Sequence, residues 1–190
     1  MDRAACERRV YRLATLLTGN PIAATKVIAQ VVDAQPDLRN LDSTHLDRLT
    51  VLRSREIKPA AIVDDLVPQL LSQALASLTP QQREAWVFTR VYRLTGRETA
   101  RAMDCSVQAT QRHLEQADAA MQRPDPVTSA NDPTQALLSY SMSLDVPNFY
   151  RIERRRRRHT RLALLALGIA GAAIAIAALV LWWVRPLSMN

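Results

Sequence analysis

Glycine is scarce, at four residues in 190, and none of the four builds a phosphate-cradling loop, so the P-loop and dinucleotide fingerprints are excluded. Cysteine is nearly absent: Cys6 and Cys105 stand far apart with no CxxC spacing, which fits a reduced compartment and two small, inert thiols. The three histidines, His45, His113 and His159, lack ligand spacing to one another. No Ser or Cys nucleophile has a matching His context, and Asp64 and Asp65 are adjacent, so a helix would point them in different directions. The chain is therefore expected to be neither an enzyme nor a cofactor carrier. Its opening MDRAACERRVYRL has no apolar stretch long enough for a cleaved secretory leader.

A charge excess is also missing where it would suggest nucleic acid. The formal charge is +7, but 151–161 holds seven Arg against one Glu and Arg185 supplies the rest, leaving 17 basic and 17 acidic side chains in 1–150. A neutral soluble part offers no broad surface for counterion release. The basic run instead precedes LALLALGIAGAAIAIAALVLWWV, about 23 residues without a charge, long enough to cross a hydrocarbon core of ~30 Å. Trp182 and Trp183 close that segment at the interface level, and Arg154, Arg155, Arg156, Arg157 and Arg158 flank its other end. The asymmetry places 1–160 in the cytoplasm, and the same arginines attract anionic lipid headgroups. A single-pass cell-membrane protein, with lipid and a membrane protein as partners, is the expectation.

Proline-rich and polar stretches divide the rest. MQRPDPVTSANDPTQ reads as a linker, and two prolines bracket a second break at 58–68. Residues 136–150 fit either a short helix or a partly ordered tether. Val10, Leu13, Ala14, Leu16 and Leu17 recur at helical spacing, Gly19-Asn20-Pro21 stops one helix and starts another, and a third begins at Ser43 or Thr44 and runs through Leu46, Leu49 and Leu52. The expected fold class is all-α: a helical lobe over 1–57, a linker over 58–68, a second lobe over 69–121, a linker over 122–150, a basic segment over 151–161, a transmembrane helix over 162–184 and a short outer tail over 185–190.

The second lobe carries the most specific pattern. Thr79 caps a helix with Pro80 in its first turn and Gln82 completing a capping box. Thr95 and Glu98 form another box, opening a short helix through Ala100, Ala102 and Met103. Asp104-Cys105 turns, and Ser106 caps a longer helix over 107–121. A short helix, a tight turn and a longer helix have the shape of a helix-turn-helix. Trp86 reads as core or lobe interface.

At these residues the chain resembles the sigma-70 factors of bacterial RNA polymerase, in particular the compact extracytoplasmic-function type with only regions 2 and 4. LASLTPQQREAWVFTRVYRLTGRETARAMDCSVQATQRHLEQA is similar to region 4, and VYRLATLLTGNPIAATKVIAQVV to the start of region 2. The resemblance implies core RNA polymerase and promoter DNA as partners, with Gln30 on the Gln that helps contact the polymerase clamp. Thr25 and Lys26 replace the family's usual acidic pair, and HLDRLTVLRSREI has no aromatic residue on which promoter bases could stack. In the recognition helix Ala109, Gln111 and His113 stand where Thr and then Lys or Arg are usual, and Arg112 is the one certain cation.

Gln108, Gln111, Arg112 and His113 are the candidate DNA-binding residues, the first three because amide and guanidinium groups make bidentate base contacts; a solvated helix face is the alternative for these three. His113 reads as an exposed polar residue rather than a metal ligand or a pH switch, because His45 and His159 have no ligand spacing to it. Three functions follow: a membrane-tethered sigma-factor-like transcription regulator; a sigma-derived membrane adaptor or sequestering protein without DNA binding; and an unrelated membrane-anchored helix-turn-helix regulator. The first lobe's resemblance favours the first two.

Overall fold

The structure, a computed structural model, describes residues 2–35, 37–121, 132–148, 150 and Ile176. Contacts divide the chain into Met1–Val146 and Pro147–Asn190, the second described only at Pro147, Asn148, Tyr150 and Ile176. The arginines Arg154 to Arg158, Trp182, Trp183 and, Ile176 apart, the whole apolar segment 162–184 therefore lie outside the described residues. Among those that are described, no helix is long and apolar enough to cross a membrane.

All regular structure among the described residues is helical. Helix α1 (Arg3–Thr18) starts under the Asp2 carboxylate, which accepts from the Ala5 amide at 2.7 Å. It stops at Gly19, in the left-handed region at φ 67°. Asn20 caps α2 (Pro21–Ala34), accepting from the Ile22 and Ala23 amides, with Pro21 in the first turn where no N–H is needed. Val10, Leu13 and Ala14 of α1 and Ala24, Val27, Ile28 and Val31 of α2 are fully or almost fully buried. A 3-10 turn (Leu38–Asn40) leads to α3 (Ser43–Ser54), capped by Asp42.

The inward face of α3 is not the Leu46–Leu49–Leu52 stripe. Leu46, Asp47, Thr50, Val51 and Ser54 are buried, while Leu52 is 40% exposed. Asp47 goes inside because Arg9 of α1 meets it with two hydrogen bonds, of 2.7 and 2.6 Å. An Arg–carboxylate fork satisfies both groups, which is what lets a charged side chain sit on the buried face. The same guanidinium lies 6.0 Å from the Tyr92 ring centroid, within cation–π range.

The second half comprises α4 (Gln69–Ser77), α5 (Pro80–Trp86) running into a π-helical turn (Val87–Val91), α6 (Gly96–Met103), α7 (Val107–Met121) and α8 (Pro133–Ser143). The two sequence lobes share one core: Leu13, Leu16, Leu17 and Val51 cluster with Leu75, Trp86, Phe88 and Met103. Trp86 sits in that shared core. The Arg83 guanidinium, only 3% exposed, crosses the junction and donates to the carbonyls of Leu17, Leu75, Ala76 and Leu78.

Of the 122–150 span read as a linker, 133–143 form α8, the short-helix alternative. Its Leu137 and Tyr140 enter the same core. Arg12 of α1 holds its end, donating to Met142 O at 2.8 Å and Leu144 O at 2.9 Å.

Residues 58–68 carry no helix, and they pass over the end of α1: the Ala60 amide donates to Thr18 O at 2.9 Å. A Cβ on Gly19 would lie 1.7 Å from Ala60 O. Gly19→Ala is expected to destabilise the protein by at least about 2 kcal/mol, because the left-handed conformation alone costs a non-glycine residue about 1–2 kcal/mol before the backbone overlap is relieved. Urea unfolding followed by circular dichroism measures this, and an unchanged midpoint would contradict the packing at this crossing.

Candidate helix-turn-helix surface

The second capping box sets the register of the motif. Glu98 accepts from the Thr95 amide at 2.8 Å and the Thr95 hydroxyl accepts from the Glu98 amide at 3.3 Å, so two of the orphan amides at the start of α6 are paired. The Thr95 hydroxyl, which donates to Glu98 Oε2 at 2.7 Å, together with the Thr95 amide holds the Glu98 carboxyl below its usual range. At the other end Asp104 takes the left-handed conformation, φ 57°, and the Cys105 amide reaches back to Ala100 O at 3.0 Å, the six-to-one bond of a Schellman closure. The Ser106 hydroxyl then accepts from the Ala109 amide at 3.1 Å to start α7. Three residues thus reverse the chain between two capped helices.

Burial fixes which side of α7 faces out. Thr110, Leu114 and Ala117 turn inward while Gln108, Gln111 and Arg112 are exposed. The structure therefore brings these three candidates onto one helix face, at the i, i+3, i+4 spacing that makes neighbours. Gln111 already donates to Glu115 Oε1 at 3.0 Å, so part of its hydrogen-bonding capacity is used within the helix. His113 is half-buried, and its Nδ1 is buried with no hydrogen-bond partner, so it stands apart from that face. Gln30 lies far off in sequence, exposed on α2 beside exposed Lys26.

The structure adds residues that the sequence reading passed over. Across a cleft of about 680 Å3 from α6 and α7 stands the first turn of α3, so that Arg97, Arg101 and Ser106 face Asp42, His45 and Arg48. Arg48 closes one side of the cleft by pairing with Asp104 at 2.7 Å. Just past the end of α3, Arg55 forks onto Glu84 at 2.8 and 2.6 Å and reaches the carbonyl of Met103, the last residue of α6, at 3.1 Å. Burial raises the Glu84 carboxyl above its ordinary range, and the Arg55 fork pulls it back. The i, i+4 pair Arg97 and Arg101 was visible as a basic stripe on α6. The α3 residues carried no local signal, since their partners are 29 to 56 positions away.

Residues 69–121, the span from α4 to α7, match the family model described as Sigma-70, region 4. No curated protein matches the chain. The match covers the capped helices and the turn just described, so the likeness and the geometry fall on the same residues.

Of the exposed α7 residues only Arg112 is charged positively, and one cation makes a shallow phosphate footprint. Arg112→Ala is expected to weaken binding to a DNA duplex by less than about 1 kcal/mol, below the 1–3 kcal/mol of a bidentate base contact. Fluorescence anisotropy at fixed salt measures it, and a loss beyond tenfold would show Arg112 reading a base.

Proposed function

We propose that the chain is a membrane-tethered, sigma-factor-like transcription regulator of the extracytoplasmic-function type that acts through core RNA polymerase and touches promoter DNA with α6 and α7. The observation that carries this reading is the coincidence of the region 4 match with a fully capped helix-turn-helix whose Gln108, Gln111 and Arg112 share an exposed face. The first half supports it through its likeness to region 2 and through Gln30, which stands exposed on α2 where a polymerase surface can reach it. The tether rests on sequence alone: an uncharged segment at 162–184 behind an arginine run at 151–161, which directs 1–160 to the cytoplasm.

A second reading, a sigma-derived membrane adaptor or sequestering protein without DNA binding, is favoured by one specific feature. The segment where region 2 captures promoter bases is α3 and its C-terminal extension; it has no aromatic residue, and Asp47 within it is buried against Arg9. Promoter opening by this chain is therefore weak or absent in either reading.

The chain is expected to stay in the pellet after alkaline carbonate extraction, with an N-terminal tag sensitive to protease from the cytoplasmic side. Capture of core polymerase by the immobilised chain, with little transcription from promoter libraries, supports the first reading. Soluble extraction would remove the tether, and absence of polymerase capture would leave the adaptor.

A further inference from the structure

The end of α7 that would enter a major groove carries no cation. A helix-turn-helix reads base edges with the N-terminal residues of its second helix, while its first helix crosses the backbone. In this chain Arg97 and Arg101 stand on α6, the first helix, and Arg112 lies more than a turn into α7. The head of α7 instead presents Val107 and Gln108, both exposed, with Gln111 one turn further on.

Val107 is 50% exposed, and it is the one large hydrophobic side chain left open on α6 and α7. Single exposed apolar residues are ordinary on a protein surface, but this one occupies the first position of the reading helix and is held there. Its Cγ1 methyl lies 3.9 Å from where a Cβ on Gly96 would stand, so it rests on the start of α6. A β-branched side chain in a helix also keeps one strongly preferred χ1 rotamer. The result is a fixed apolar knob beside an open amide. Gln108 makes no side-chain hydrogen bond among the described residues, whereas Gln111 already donates to Glu115 Oε1 at 3.0 Å.

Each of these groups has a base that it matches in the major groove. A glutamine amide fits adenine, accepting from the N6 amino group and donating to N7, and an apolar side chain fits the C5 methyl of thymine. Guanine, with acceptors at O6 and N7, is matched by arginine or lysine. Neighbouring helix positions point about 100° apart, so Val107 and Gln108 reach successive base pairs rather than the same one. We propose that Val107 and Gln108 make the head of α7 a reader of A·T pairs, with Gln108 on an adenine and Val107 on the methyl of a thymine in the adjacent pair. The inference rests on the reading of α6 and α7 as a DNA-binding motif and adds to it the sequence that the motif selects. Affinity and selectivity then have different sources: Arg97, Arg101 and Arg112 meet phosphates, which carry no sequence information, and the uncharged pair discriminates.

The test uses the full-length chain in detergent at low salt, where a small number of phosphate contacts binds most tightly. Selection from a library of random DNA duplexes is expected to enrich two adjacent A·T pairs. On the selected duplex, replacing the pair read by Gln108 with G·C should weaken binding about tenfold. Replacing the thymine read by Val107 with deoxyuracil, which removes only the methyl, should weaken it about fourfold. Gln108→Arg is expected to reverse the first preference, favouring G·C at that one position, in a ratio of affinities from which the added charge cancels. Val107→Ser is expected to abolish the deoxyuracil effect and leave the adenine preference in place. The base replacements need no variant, so they decide even if a substituted chain does not fold. Enrichment of G·C pairs, an absence of preference, or an unchanged affinity on deoxyuracil overturns the inference and leaves docking of DNA on α6 and α7 standing. Binding to no duplex overturns the inference together with the DNA part of the proposed function, while capture of core polymerase tests the remaining part by itself.

Discussion

A guanidinium with no ion-pair partner among the described residues holds the fold together. Arg83 donates to Leu17 O at 2.6 Å, Leu75 O at 2.8 Å, Leu78 O at 2.9 Å and Ala76 O at 3.0 Å. Leu17, Leu75 and Ala76 lie in the last turns of α1 and α4, where carbonyls have no intrahelical donor and the helix dipoles are negative. Burial pushes the Arg83 pKa down to about 10, which leaves it charged at neutral pH. Removing such a cation from water costs several kcal/mol. Charge-assisted hydrogen bonds at about 1.5–3 kcal/mol each offset that cost, and only if both helix ends stay where they are. The side chain thus converts two frayed helix termini, from opposite halves of the sequence, into a single junction.

The next residue extends the junction. Glu84 is 2% exposed and points to Arg55, which also reaches Met103 O at the end of α6. Consecutive residues of one short helix therefore serve two tasks: Arg83 locks α1 to α4, and Glu84 locks α3 to the helix-turn-helix. The motif that resembles region 4 of sigma-70 is thereby joined to the first half of the chain through Arg55, Glu84 and Met103. Arg12, by holding the end of α8, ties that helix to α1.

Local chemistry was legible in the residues. Asn20-Pro21, Thr79 with Gln82, Thr95 with Glu98 and Ser106 each announce a helix start within four positions, and each cap forms. Gly19 announced a stop, although its close approach to Ala60 O depends on a crossing that no local pattern encodes. That Asp47 is a core residue of α3 was not legible locally, because its partner Arg9 lies 38 residues earlier. Helix α8 was ambiguous because its apolar positions, Leu137 and Tyr140, fill a gap left by other helices rather than a seam of their own. For the site, the exposed trio on α7 followed from helical spacing. The Arg48–Asp104 pair did not, since the two residues are 56 positions apart.

The central claim is that both halves of Met1–Val146 stand or fall together through Arg83. Native-state hydrogen exchange in rising urea measures it directly, by giving each helix its own opening free energy. The account predicts that α1 and α5 open with one common free energy in the wild type, and that Arg83→Met lowers both by the same amount. Separate openings for the two helices, with α1 unaffected by the substitution, would contradict it.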